Sequence, residues 1–173
     1  MNTKGMGRLL VLGGARSGKS RYAQARAEAL PGELLFVATA QSFDDEMGDR
    51  IARHRADRGE RWSTVEAPLE LADCIFGEAG AGRVLLVDCL TLWTSNIMLA
   101  DRDIPHEIER LQGAIAKAPG PVIFVANEVG LGIVPDNALA RRFRDASGTI
   151  NQAVARLCDD VVFVAAGLPL TLK

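Results

Sequence analysis

Gly13-Gly14-Ala15-Arg16-Ser17-Gly18-Lys19-Ser20 decides how the rest of the chain is read. The stretch fits the phosphate-binding pattern G-x-x-x-x-G-K-[ST], and its flanks give that pattern a structural setting. Ahead of it, Arg8-Leu9-Leu10-Val11-Leu12 reads as a buried strand. Behind it, residues 21–30 are rich in helix formers and are closed by Pro31-Gly32. A strand, a glycine turn and a helix in that order aim backbone N–H groups and a helix N-terminus at one point. Lys19 would reach the β- and γ-phosphates, and the Ser20 hydroxyl would hold Mg²⁺. A glycine-rich turn that binds nothing has the same spacing but no need of both flanks. The chain is therefore expected to bind a nucleoside triphosphate.

Working outward, four more apolar runs, at 34–38, 84–87, 122–125 and 161–164, repeat the character of the run at 9–12. None alternates with polar residues, as expected of strands covered on both faces of a parallel sheet. Helical stretches are predicted at 17–30, 44–58, 105–118 and 138–157. Strand and helix in alternation give an α/β doubly wound architecture with right-handed crossovers. Leu170-Thr171-Leu172 is read as a short edge strand, and residues 61–66 as a small strand or a rim loop. In such sheets ligands collect beyond the carboxyl ends of the strands. The phosphate loop, Thr39-Ala40-Gln41-Ser42, Asp88-Cys89 and Asn127-Glu128-Val129-Gly130 would then share one rim.

At 173 residues the chain is predicted to form a single domain, 1–173. Residues are 48% hydrophobic and 24% charged, which is ordinary for a globular protein. A net charge of −2 argues against a nucleic-acid partner. Cys74, Cys89 and Cys158 form no C-x-x-C pair, so neither a metal nor a disulfide framework is expected and a reducing cytoplasm is the predicted setting. No apolar run approaches a membrane span or the core of a signal peptide.

Asp88 ends an apolar strand in a carboxylate, which beside a phosphate loop can hold Mg²⁺ directly or through water. Residues 44–58 place acids in the first turn and bases in the last two, matching the helix dipole. Arg50, His54 and Arg58 are four apart and share one helical face, with Arg53 and Arg55 beside them. One fixed positive charge at ~6 Å disfavours protonation of an imidazole by roughly 0.7 kcal/mol through water, and by more where the dielectric falls. A neutral imidazole is a nucleophile, and the arginines could hold a triphosphate. A solvated helix with a purely structural charge gradient reads the same way. His106, among acids in a helical first turn, is read as an ordinary surface residue. The loop from Asn127 to Asp136 is either a mobile or partner-contacting surface or a loop that tucks its aliphatics inward.

Taken together, the phosphate loop with Arg21, the helix from Asp45-Glu46-Met47 to His54, Asn127-Glu128-Val129-Gly130-Leu131-Gly132-Ile133-Val134-Pro135 and Phe143-Arg144-Asp145 resemble the bifunctional adenosylcobinamide kinase/adenosylcobinamide-phosphate guanylyltransferases of cobalamin biosynthesis. The resemblance runs from about Arg8 to Lys173. It implies a P-loop NTPase fold like that of recombination-type ATPases, and a homotrimer. It implies two reactions: ATP or GTP phosphorylates the aminopropanol hydroxyl of adenosylcobinamide, and GTP then gives GMP to adenosylcobinamide-phosphate. His54 matches the position of the family's guanylyl-histidine. The nucleotide contacts it implies are Gly13 to Ser20, Ala38, Thr39, Ala40, Arg55, Ala56, Asp57, Arg58, Glu66 and Asp88, with Mg²⁺ on Ser20 and Asp88. This chain has Arg53-His54 where some relatives have two histidines, and Asp88 where some have Glu.

Two other readings stay open on the residues alone. One is a small-metabolite kinase without a covalent intermediate. The other is a nucleotide-gated interaction module, against which Asn127 lacks the Asn-Lys-x-Asp context of guanine readers and Asp88 lacks a glycine three places on.

Overall fold

The computed structural model describes residues 7–41 and 59–173. Seven strands form one sheet: β1 (Arg8–Gly13), β2 (Glu33–Ala38), β3 (Trp62–Glu66), β4 (Arg83–Asp88), β5 (Val122–Asn127), β6 (Asp160–Ala165) and β7 (Leu168–Thr171). Their order is β3-β2-β4-β5-β1-β6-β7. The first six are parallel, and β7 turns back antiparallel on β6. The α/β architecture with a mostly parallel sheet is thus as the sequence predicts. Within residues 61–66, Trp62–Glu66 forms a strand, and the tail supplies an edge strand at Leu168–Thr171, which begins two residues before the predicted 170–172 and leaves out Leu172. The helix predicted over 44–58 lies outside the described residues.

The helices are α1 (Lys19–Glu28), α2 (Leu71–Glu78), α3 (Leu90–Leu99), α4 (Ile104–Lys117) and α5 (Ala138–Leu157). Side chains alternate along each strand, so the sheet feeds two cores. Leu10, Leu35, Leu85, Val87, Phe124 and Val161 pack with Leu71, Ile75, Trp93, Leu111, Ile115 and Val154 from α2 to α5. Leu9, Val11, Leu34, Val84, Leu86, Ile123, Val125 and Val162 face the other way, onto Ala23 and Ala27 of α1.

Local chemistry sets the helix ends. The Asp103 carboxylate accepts from His106 N–H at 2.8 Å, and Asn137 Oδ1 accepts from Ala140 N–H at 3.1 Å. Pro105 falls in the first turn of α4, where its missing N–H costs nothing. His106 is exposed, as its acidic neighbourhood suggests. Glu107 on the same helix is only 3% exposed and is compensated by Arg102 and Arg110, at 3.4 and 3.3 Å.

Candidate functional site

The loop after β1 is shaped by two glycines. A Cβ on Gly13 would lie 2.5 Å from Ser17 Oγ and 2.6 Å from Val164 O, so no side chain fits there. Gly18 has φ +94, a left-handed conformation, and its Cβ position lies 3.2 Å from Gly167 Cα. The β6–β7 turn thus lies against the loop, and Gly167 N–H donates to Ser17 O at 2.7 Å. Ser17 N–H closes the loop on Gly14 O at 3.3 Å. Lys19 Nζ donates to Gly14 O at 3.0 Å, which lays the ammonium over the loop. Ala15 and Arg16 are exposed at its tip, and Ser20 is half-buried in the first turn of α1.

Among the described residues no side chain caps α1, and its first turn holds no acid. Its leading N–H groups are therefore available to an anion, with the positive end of the helix dipole behind them. This is the local reason the segment suits phosphate.

Strand alternation locates the other predicted residues. Leu9 and Val11, Leu34, and Val84 and Leu86 all belong to the α1-side core. Continuing each period of two places Gly13, Ala38 and Asp88 on that same side. Glu66 is in register with Ala38, which in turn is in register with Asp88. Gly13, Ala38, Glu66 and Asp88 therefore line one rim on the face that carries Lys19 and Ser20. Thr39 plays a different part. It is fully buried, its hydroxyl donates to Cys89 O at 2.7 Å and accepts from Cys89 N–H at 2.8 Å. Its carbonyl accepts from Asn96 Nδ2 at 2.7 Å, and its N–H donates to Asp88 O at 3.3 Å. Thr39 thereby ties the ends of β2 and β4 together, and Ala40 follows it half-buried at the rim. His54, Arg55, Ala56, Asp57 and Arg58 lie outside the described residues.

A further residue enters through register. β5 runs between β1 and β4, and its last residue, Asn127, pairs with Gly13. Glu128 N–H donates to Gly13 O at 3.1 Å. In the sequence Asn127 looks like the start of a polar loop; only the strand pairing brings it beside the phosphate loop. Two buried oxygens near this rim, Ser17 Oγ and Asn127 Oδ1, have no hydrogen-bond partner among the described residues. Leaving such groups unpaired costs about 1–3 kcal/mol each, and functional sites are where that cost is tolerated.

Beyond Asn127 the loop turns outward: Leu131, Ile133 and Val134 are exposed, Ile133 by 97%. The outward reading of this loop is the one the structure shows. Arg141 fixes it by donating to Pro135 O and Asp136 O at 2.8 and 2.6 Å, and Arg144 pairs with Asp145 at 3.0 Å. Among the described residues no group of three or more His, Cys, Asp or Glu side chains is arranged to hold a metal, and no helix is long and apolar enough to cross a membrane.

Comparison with known proteins agrees with this geometry. The family model described as cobinamide kinase / cobinamide phosphate guanyltransferase matches residues 9–172. The bifunctional adenosylcobalamin biosynthesis protein CobP of Pseudomonas aeruginosa is 50% identical over 166 residues, covering 95% of this chain and 96% of the relative. CobU of Escherichia coli K12, described as a bifunctional adenosylcobalamin biosynthesis protein, is 40% identical, covering 95% and 99%. Among solved structures, the ATPase EscN of the enteropathogenic E. coli type III secretion system aligns with a TM-score of 0.63 at 12% identity. That alignment covers 92% of this chain and 43% of EscN, and it speaks to the shared fold alone.

Proposed function

This chain belongs to the cobinamide kinase / cobinamide phosphate guanyltransferase family, and on that premise we propose that it carries out both reactions in one site. In the first, ATP or GTP gives its γ-phosphoryl group to the aminopropanol hydroxyl of adenosylcobinamide. In the second, GTP gives GMP to adenosylcobinamide-phosphate and releases pyrophosphate, yielding adenosylcobinamide-GDP. The observation that carries this reading is the uncapped N-terminus of α1, opened by a glycine loop on the same rim as the Asp88 strand end, with one strand between them.

Each residue then has a role. The backbone from Gly13 to Ser20 cradles the phosphates, and Lys19 exchanges its bond to Gly14 O for phosphate oxygens. Ala38, Thr39, Ala40 and Glu66 form the nucleotide side of the rim, with Arg55, Ala56, Asp57 and Arg58 as further contacts. Ser20 and Asp88 offer a hydroxyl and a carboxylate, hard oxygen donors on the same face of the sheet. This donor set fits Mg²⁺, which binds through one or two protein oxygens plus substrate phosphates rather than in a dedicated cage. Bound there, the ion would neutralise phosphate charge. His54 attacks the α-phosphorus of GTP: a P–N bond forms, the bond to the bridging oxygen breaks, and pyrophosphate leaves. A phosphate oxygen of adenosylcobinamide-phosphate then attacks the same phosphorus and frees the histidine. We further propose a homotrimer working in the cytoplasm, a setting consistent with three free cysteines.

The test uses GTP labelled on the α- or γ-phosphate, incubated with the protein and Mg²⁺, followed by denaturation. Retained α-label, stable to base and lost in acid, is the expected result, and His54→Ala abolishes it. Retention of neither label, with γ-phosphate consumed only when adenosylcobinamide is present, would reduce the enzyme to a simple kinase.

A further inference from the structure

Asn127 has no place in the phosphate-loop pattern or among the nucleotide contacts described above, yet it is held at the centre of the rim. Ile123 and Val125 of β5 lie in the core against α1, so Asn127, two residues on, faces the same side. It sits in register with Gly13 of β1, and β4, which ends in Asp88, lies on the other flank of β5. The other β5 residues, Val122 to Ala126, are buried and apolar. Asn127 is thus the one polar residue of the strand, placed at its rim end. Its backbone is fixed, since Asn127 N–H donates to Thr91 Oγ1 at 2.7 Å. Its carboxamide oxygen is not satisfied: Oδ1 is buried without a partner among the described residues.

We propose that Asn127 is a catalytic residue of the kinase step, its carboxamide touching both reactants. This rests on the kinase half of the proposed function and adds the residue that aligns the acceptor. Oδ1 accepts a hydrogen bond from the attacking hydroxyl, and Nδ2 donates to an oxygen of the γ-phosphoryl group. An amide cannot take the proton, so its work is alignment. The hydroxyl oxygen forms the new bond to the γ-phosphorus as the bond to the β-γ bridging oxygen breaks and the nucleoside diphosphate leaves. The hydroxyl proton passes to an oxygen of the transferred phosphoryl group. In a loose phosphoryl-transfer transition state, in-line placement of the nucleophile is most of what a protein can supply.

The experiment measures adenosylcobinamide-dependent transfer from γ-labelled GTP, alongside GTP affinity by calorimetry, for wild type, Asn127→Ala and Asn127→Asp. Asn127→Ala is expected to lower kcat by about 10²-fold while GTP affinity stays within about threefold. Asn127→Asp matches the shape but places a charge against the γ-phosphate, and it should lose at least as much kcat, which guards against a folding artefact in the alanine variant. A kcat for Asn127→Ala within threefold of wild type overturns the inference. So does a loss of kcat matched by an equal loss of GTP affinity. If wild type transfers no γ-label to the corrinoid, the kinase reading has failed and this inference falls with it.

Discussion

On one face of the sheet, α2 to α5 bury Trp93, Leu111, Ile115 and Val154 against the strands. On the other, α1 contributes two buried alanines, Ala23 and Ala27, among the described residues. Small side chains let α1 lie close to the sheet, so its first turn meets the strand ends at the rim where Gly13, Asn127 and Asp88 converge. The thick face holds the fold together, and the thin face places a helix N-terminus. Stability and chemistry are thereby assigned to opposite sides of the same seven strands, and each assignment can be broken separately.

The largest effect is expected on the thick face. Trp93 is fully buried and its indole N–H donates to Leu69 O at 2.9 Å. Trp93→Ala leaves a cavity and an orphaned carbonyl, and should cost about 3–5 kcal/mol, roughly 10 °C in melting temperature for a chain of this size. The α-label retained per folded molecule should remain at the wild-type level. A folded Trp93→Ala protein that no longer retains label would mean the two faces are coupled.

Lys19→Ala is the mirror experiment. Among the described residues the side chain bonds only within its own loop, to Gly14 O, so the melting temperature should move by less than about 2 °C. Both half-reactions should fall by about 10²–10³-fold, the usual cost of removing one donor that meets charge in the transition state. Full turnover in this variant would remove the phosphate-loop assignment.

How far the sequence carries this division depends on how local each signal is. The strands and the phosphate loop are readable because an unbroken apolar run and a glycine spacing need no partner to be recognised. α3 is not. Its sequence, Leu90 to Leu99, has Leu90, Thr91, Trp93, Thr94, Asn96 and Ile97 buried on several sides, so no polar stripe marks a 3.6-residue period. α2 buries Leu71, Ala72 and Ile75 on one face, but at eight residues it is too short for the period to stand out. Asn127 is invisible for another reason: it reads as the first polar residue after a strand. Its importance comes from β5 being inserted between β1 and β4, a pairing between segments more than a hundred residues apart for β1. Asp88 is legible as a strand-end acid, yet its shared side with Lys19 emerges only from the two cores.

The smallest effect comes from the two buried thiols, Cys89 and Cys158, one on each face. Burial pushes Cys89, in the core against α1, up to about 11, with Asp88 adding to the rise. Burial pushes Cys158, in the opposite core, up to about 12. Both are raised above the ordinary value of 9.0, so the folded protein holds these protons more tightly than the unfolded chain. Their contribution is complete below about pH 9 and drains away as pH climbs towards 11 and 12. At pH 10 the loss should be about 1 kcal/mol for each thiol, read as a falling midpoint in urea. Cys158→Ala should flatten that fall without changing kcat. Cys89→Ala should flatten it by a similar amount and also lower kcat, because it removes the Sγ that accepts from Leu92 N–H at 3.4 Å and so loosens the start of α3, where Cys89 backbone atoms hold Thr39 at the rim. If Cys158→Ala altered turnover while Cys89→Ala did not, the separation of stability and chemistry between the two faces would have to be abandoned.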